Sequence, residues 1–186
     1  NDGIDTVQDL AFFYLDIIDK FQLKDITLMG SSLGGWLAME IGVIVPDKIA
    51  KLILIDAYGI RAEGVKLPNL FRMSQKAIVS NLFFDNSLQD EILKKYTSKT
   101  EFEKIVLNNN VTTAHLGWNL NMHNPKLPQL MHRLSMPTLL VWGKEDKLLP
   151  VAYAKKLHEL LPHSILKIIS DAAHLPHIEK PREFIK

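Results

Sequence analysis

The chain predicts an α/β protein with a mostly parallel sheet and an all-helical insertion at its centre. Three observations carry this. Strand-length apolar runs alternate with helix-length amphipathic stretches towards both ends of the chain. Residues 61–125 show helical periodicity without a strand-like run. One strand-to-helix junction, Gly30-Ser31-Ser32-Leu33-Gly34-Gly35, crowds glycines around a pair of serines.

The first helix starts at Thr6-Val7-Gln8-Asp9, with Asp5 or Thr6 as its N-cap and Asp9 near its positive end. Leu10, Phe13, Tyr14, Ile17, Ile18 and Phe21 then recur at helical spacing. The apolar run Ile26-Thr27-Leu28-Met29 follows as a strand. The glycine corner turns it into a helix over 33–45, which Pro46 ends. Residues 51–56 form a second short apolar run, suited to a strand covered on both faces. Helix, strand, helix, strand implies parallel strands joined by right-handed crossovers.

In the insertion, Leu70, Ser74, Ala77, Ile78 and Leu82 fit one helix, and Leu88, Ile92, Leu93 and Tyr96 a second. Phe102, Ile105 and Val106 fit a third, and Leu116 and Leu120 a fourth, with Asn108-Asn109-Asn110 as the break between them. Alternation resumes with a strand over 137–143, a helix over 151–161 ended by Pro162, and a strand over 165–169. Residues 178–186 open a last helix around Pro181. The expected organisation is therefore a core part at 1–60, a helical cap or lid at 61–125, and a second core part at 126–186.

Composition narrows the function classes. At 186 residues the chain can bury one good core, and 47% apolar with 23% charged residues is ordinary for a globular protein. A net charge of +1 with no Lys/Arg cluster gives no field to recruit nucleic acid or an anionic membrane. The absence of cysteine excludes a disulfide framework and a thiolate zinc site. No apolar run reaches the roughly 18–20 residues that span a bilayer, and no signal peptide is visible, so the expected location is the cytoplasm.

A serine hydroxyl is a poor nucleophile unless a tight, exposed turn holds it beside a base and an anion site. Of the two adjacent serines only Ser32 has glycine at both −2 (Gly30) and +2 (Gly34), which selects it. In an open parallel sheet functional groups collect at the carboxyl ends of strands. Among seven histidines only His174 lies just past a predicted strand, and Asp146 occupies the matching loop after the preceding one. Asp56, also at a strand end, is the rival orienting acid. Glu145 reads as solvated. His174 and His177 are three residues apart but lack further ligands at metal-binding spacing, so neither a metal nor a cofactor is expected. Trp36 and Trp142 read as packing residues, and Met122, Met131 and Met136 as apolar filler.

The Ser32 elbow, the Gly-x-x-Asp at 143–146 and the His-Leu-Pro-His-Ile-Glu-Lys-Pro stretch at 174–181, in that order, resemble the α/β-hydrolase family. The helical insertion falls where that family carries its cap domain. The resemblance covers nearly the whole chain and implies a carboxylesterase-like serine hydrolase acting on a small, apolar acyl substrate. Ser32 would attack the acyl carbonyl, His174 would shuttle the proton, and Asp146 would orient the imidazole. The backbone N–H of Leu33 would supply one oxyanion donor. Trp118 and His115 in the insertion, with Leu175 beside His174, are the candidate lining of the acyl pocket.

The front of the chain departs from the family pattern. The second oxyanion donor comes from an early loop, often His-Gly, and nothing like it precedes Ser32. The expectation is that N-terminal strands are missing from this chain, which would leave the strand at 26–29 as an exposed apolar edge. The same triad also serves carbon–carbon bond hydrolases and acyltransferases, and the fold occurs in ligand-binding members without turnover. Resemblance to the carbon–carbon hydrolases is the weaker, since Leu175-Pro176 follows His174 where that subgroup has an aromatic pair.

Overall fold

The computed structural model describes residues 3–95, 99–117 and 122–186. Four strands form one fully parallel sheet in sequential order: β1 (Ile26–Ser31), β2 (Ile49–Ile55), β3 (Thr138–Gly143) and β4 (Ser164–Ile169). The helices are α1 (Val7–Lys20), α2 (Leu33–Ile44), α3 (Gln75–Leu82), α4 (Asn86–Lys95), α5 (Lys99–Gly117), α6 (Leu127–Leu130), α7 (Val151–Leu160), α8 (Pro176–Glu179) and α9 (Pro181–Phe184).

Local chemistry explains where the helices begin. Thr6 caps α1: its hydroxyl accepts the Asp9 N–H at 3.0 Å, and the Asp9 carboxylate returns to the Thr6 hydroxyl at 2.7 Å. That bond from Thr6 holds Asp9 below the ordinary carboxylate pKa. The buried stripe of α1 is Val7, Ala11 and Ile18, whereas Phe13, Tyr14 and Phe21 from the expected apolar face stand exposed. Small residues on the inner stripe let α1 lie close against α2, which turns its aromatic side outward. Leu70 belongs to a separate 3₁₀ turn, and α3 begins only at its Ser74 cap, whose hydroxyl accepts the Ala77 N–H at 3.2 Å. Asn108–Asn110 do not break the third helix, because α5 runs through them. Asparagine costs no more than about 0.7 kcal/mol in a helix interior, which the helix can absorb. Tyr96 and Leu120 lie outside the described residues. Pro181 does the opposite of kinking a helix: it starts α9, as Pro176 starts α8.

Side chains alternate across the sheet. Leu52, Leu54, Leu140 and Trp142 join Trp36, Met39, Tyr153 and Leu157 in the main core, so α2 and α7 cover this face, with α1 packed on α2. The other face is thin. Ile55, Val141 and Ile169 pack with Ala172 and Phe184, while the register row Met29–Ile53–Leu139–Ile165 ends in residues 58% and 69% exposed. β1 is an edge strand and carries the exposed Met29, as expected.

The strand ends matter most for the site. The ladder continues one step beyond three strands: Ser32 N–H donates to Ile55 O at 2.9 Å, Asp56 N–H to Val141 O at 3.0 Å, and Lys144 N–H to Ile169 O at 2.9 Å. The first residues after β1 and β2 and the loop after β3 are thereby pinned along one edge.

Candidate active site

Ser32 sits between β1 and α2 at φ 55° and ψ −119°, a conformation that costs a non-glycine residue about 1–3 kcal/mol. Its surroundings over-determine it. Besides its own N–H bond to β2, its carbonyl accepts N–H groups from Gly35, Trp36 and Tyr58 at 3.0, 3.3 and 3.1 Å. Gly30 is required because a Cβ there would lie 2.1 Å from the Gly34 carbonyl oxygen. The second cramped position is Gly35, where a Cβ would lie 2.3 Å from the Ala57 Cβ. Gly34 itself faces open space. The Ser31 hydroxyl is buried with no hydrogen-bond partner among the described residues, so the corner presents Ser32 and withdraws Ser31.

The structure brings together the three side chains picked out at strand ends. His174 Nε2 lies 2.9 Å from Ser32 Oγ, and His174 Nδ1 lies 2.8 Å from Asp146 Oδ2. Both His174 and Asp146 are buried. The Asp146 Oδ1 accepts the N–H groups of Leu148 and Leu149 at 2.8 and 3.0 Å, which fixes the carboxylate plane. With the ring proton on Nδ1 donating to Asp146, Nε2 is left to accept from the serine hydroxyl. Such a chain can move a proton off a hydroxyl as that hydroxyl attacks an electrophile. Leu33 is the first residue of α2, and an N–H at that position has no acceptor within the helix; it suits an anion formed at the corner.

Asp56 does not take the orienting position. It is completely buried at the end of β2, its Oδ1 accepts the Gly143 N–H at 3.0 Å, and its Oδ2 has no partner among the described residues. Burial, then the neighbouring Asp146 charge, push its pKa well above the ordinary carboxylate value. Ligand-type atoms of Asp56, Asp146 and His174 lie within 4.8 Å of one another, but those of Asp146 and His174 are already committed to each other. His177 stands apart, its ring 5.9 Å from that of Phe184, and burial followed by the His174 charge lowers its pKa.

Two carboxylates brace the His174 loop in ways that local sequence does not announce. Glu145, expected to be solvated, accepts the Ala172 N–H at 3.1 Å. Glu179 accepts the Ala173 N–H at 2.6 Å on one oxygen and the Phe84 and Asp85 N–H groups at 2.7 and 2.9 Å on the other. The one available hint was Glu179's place within the stretch at 174–181. Tyr58, also unremarked in sequence, sets its buried ring edge-on to His174 at 6.4 Å. It also lines a cleft of about 210 Å³ with Leu67, Leu70, Phe71 and Met122. Of the candidate pocket residues, His115 is turned to the N-terminal segment, with Nε2 3.0 Å from Ile4 O and 2.9 Å from Asp5 Oδ1. Leu175 caps α8, and Trp118 lies outside the described residues. Trp36 and Trp142 are buried packing residues whose N–H groups are satisfied by Glu40 and by Leu149 O.

Comparison with known proteins gives the family and the fold. A family model described as "Serine aminopeptidase, S33" matches residues 2–181. The uncharacterized hydrolase YugF of Bacillus subtilis is 27% identical over 192 residues, covering 95% of this chain and 68% of that protein. A putative esterase/lipase of Mycoplasma genitalium is 27% identical over 204 residues, covering 100% of this chain and 75% of that one. The solved structure of a meta-cleavage product hydrolase variant from Pseudomonas fluorescens superposes with a TM-score of 0.76 at 18% identity, over 96% of this chain and 68% of that one, which shows the shared fold. Among the described residues no helix is long and apolar enough to cross a membrane.

Proposed function

Because the chain belongs to the serine aminopeptidase S33 family of α/β-hydrolases, we propose that it is a serine hydrolase cleaving an ester or related acyl bond of a small, apolar substrate. The observation that carries this reading is the unbroken chain from Ser32 Oγ through His174 to Asp146, at 2.9 and 2.8 Å. Ser32 Oγ bonds to the acyl carbon as its proton passes to His174 Nε2. The carbonyl oxygen becomes an oxyanion held by the Leu33 N–H. As the bond to the leaving group breaks, His174 returns that proton to it, and an acyl-enzyme remains. Water then attacks with His174 as base, which releases the acid and restores Ser32. Asp146 holds the ring in the tautomer that each step needs.

The cleft beside Tyr58 supports an apolar substrate, since Leu67, Leu70, Phe71 and Met122 offer no charge to a ligand. The helices between β2 and β3 then serve as a cap over the site. A fluorophosphonate probe tests the reading. The chain is expected to label at Ser32, Ser32→Ala to abolish labelling, and Asp146→Asn to slow ester turnover by on the order of 10⁴. A folded chain whose Ser32 stays unreactive would sink the proposal. Product analysis with ester, amide and carbon–carbon bonded substrates identifies the bond cleaved.

A further inference from the structure

The buried carboxyl group of Asp56 has no part in the proton path above, yet it sits against it. Its position is rigid: the backbone N–H is held by Val141 O, and Oδ1 by the Gly143 N–H at 3.0 Å. Its Oδ2 is buried and receives no donor among the described residues. A carboxylate oxygen of Asp56 lies within 4.8 Å of one of Asp146. The charged groups that bear on it are acidic, Asp146 first and then Glu179, and among the described residues the Gly143 N–H is its one counterweight. A carboxylate placed beside another carboxylate without a cation is strongly disfavoured, and two such groups share a proton. Since the His174 ring is already the partner of Asp146 Oδ2, the orphan oxygen of Asp56 has one natural use.

We infer that Asp56 acts as a neutral carboxylic acid whose O–H donates to Asp146, making it a positioning residue for the triad carboxylate. Asp146 is then held by two backbone N–H groups on Oδ1, by the His174 ring, and by the Asp56 acid. The inference rests on the serine hydrolase reading, in which Asp146 orients His174. It accounts for a second acid at the end of β2 without making it a rival: the group works only while protonated. An ionised Asp56 would compete for the imidazole and push Asp146 away.

Asparagine is the chemical mimic of a neutral aspartic acid, with an amide N–H for the O–H and a carbonyl oxygen for the Gly143 N–H. Asp56→Leu should slow fluorophosphonate labelling of Ser32 by about tenfold to a hundredfold, as expected for losing one hydrogen bond to a charged group. Asp56→Asn should rescue most of that loss. If the asparagine variant is as impaired as leucine, Asp56 works as an anion and the inference is wrong. If Asp56→Leu labels like the unaltered chain, Asp56 positions nothing. Infrared spectroscopy supplies a readout independent of turnover: the unaltered chain should show the carbonyl band of a protonated carboxylic acid at neutral pH, absent from Asp56→Asn. A missing band overturns the inference even if a variant fails to fold. An unaltered chain that does not label sinks the hydrolase reading instead, and the band then decides the state of Asp56 by itself.

Discussion

Glu179 accepts the backbone N–H of Ala173 at 2.6 Å, one residue before His174. Its other oxygen takes the N–H groups of Phe84 and Asp85, about 95 positions away in the chain, so one carboxylate joins the α3–α4 turn to the histidine loop. Glu179→Ala leaves three N–H groups without that acceptor and should cost about 1–3 kcal/mol. Hydrogen exchange should rise together at 84–85 and at 173–175, and Ser32 labelling should slow. Faster exchange at only one of the two segments would show that Glu179 does not couple them.

The strain at Ser32 has a thermodynamic signature. Glycine adopts φ 55° without penalty, whereas alanine does not. Both Ser32→Gly and Ser32→Ala should abolish labelling, but only the glycine variant should be stabilised, by about 1 kcal/mol after its greater loss of chain entropy. Urea denaturation of the two variants side by side measures this. Equal stabilities would mean that the corner stores no strain.

Asp56 also predicts a pH dependence of stability. Its folded pKa is raised, while in the unfolded chain it ionises near the ordinary value of about 3.9. Between those two values unfolding releases a proton, so the contribution of this group to stability is fully present below about pH 4 and is lost as pH rises, by up to about 1.4 kcal/mol per pH unit. Asp56→Asn removes that slope. Its stability advantage over the unaltered chain should therefore widen as pH rises above about 4, as measured by denaturation at each pH. Parallel stability curves would contradict a raised pKa.

The cleft beside Tyr58 should set chain-length preference. Leu67 is partly exposed at its rim, so Leu67→Trp adds bulk there without disturbing the core. Turnover of longer acyl esters should fall by about tenfold or more relative to acetyl esters, in line with the 1–3 kcal/mol per apolar group seen in hydrophobic pockets. An unchanged chain-length profile would place the substrate elsewhere.

The meeting of Ser32, His174 and Asp146 was legible in sequence because each follows its own strand-like run. Ser32, Asp146 and His174 needed only local pattern and the rule that groups gather at strand ends. Side chains whose roles depend on distant partners were not legible. The strand-end rule picked out Asp56 but not that it is buried beside Asp146 rather than beside His174 alone, and nothing near Glu179 reveals residues 84 and 85. The inner face of α1 follows from packing on α2 rather than from hydrophobicity alone: Phe13 and Phe21 recur at helical spacing but stand exposed, while Val7 and Ala11 are buried. At Asn108–Asn110 composition suggested a turn, while the helix needed only residues that it can tolerate.

The sequential parallel order of β1 to β4 gives the site a second meaning. Ser32 and His174 are 142 residues apart and meet only when every intervening strand has found its register. Contacts of such long range form late and slowly in folding. A covalent probe reacting at Ser32 would thus count molecules whose sheet is complete. The stoichiometry of labelling becomes a census of finished folding, and its time course after dilution from denaturant a clock for the last strand to arrive.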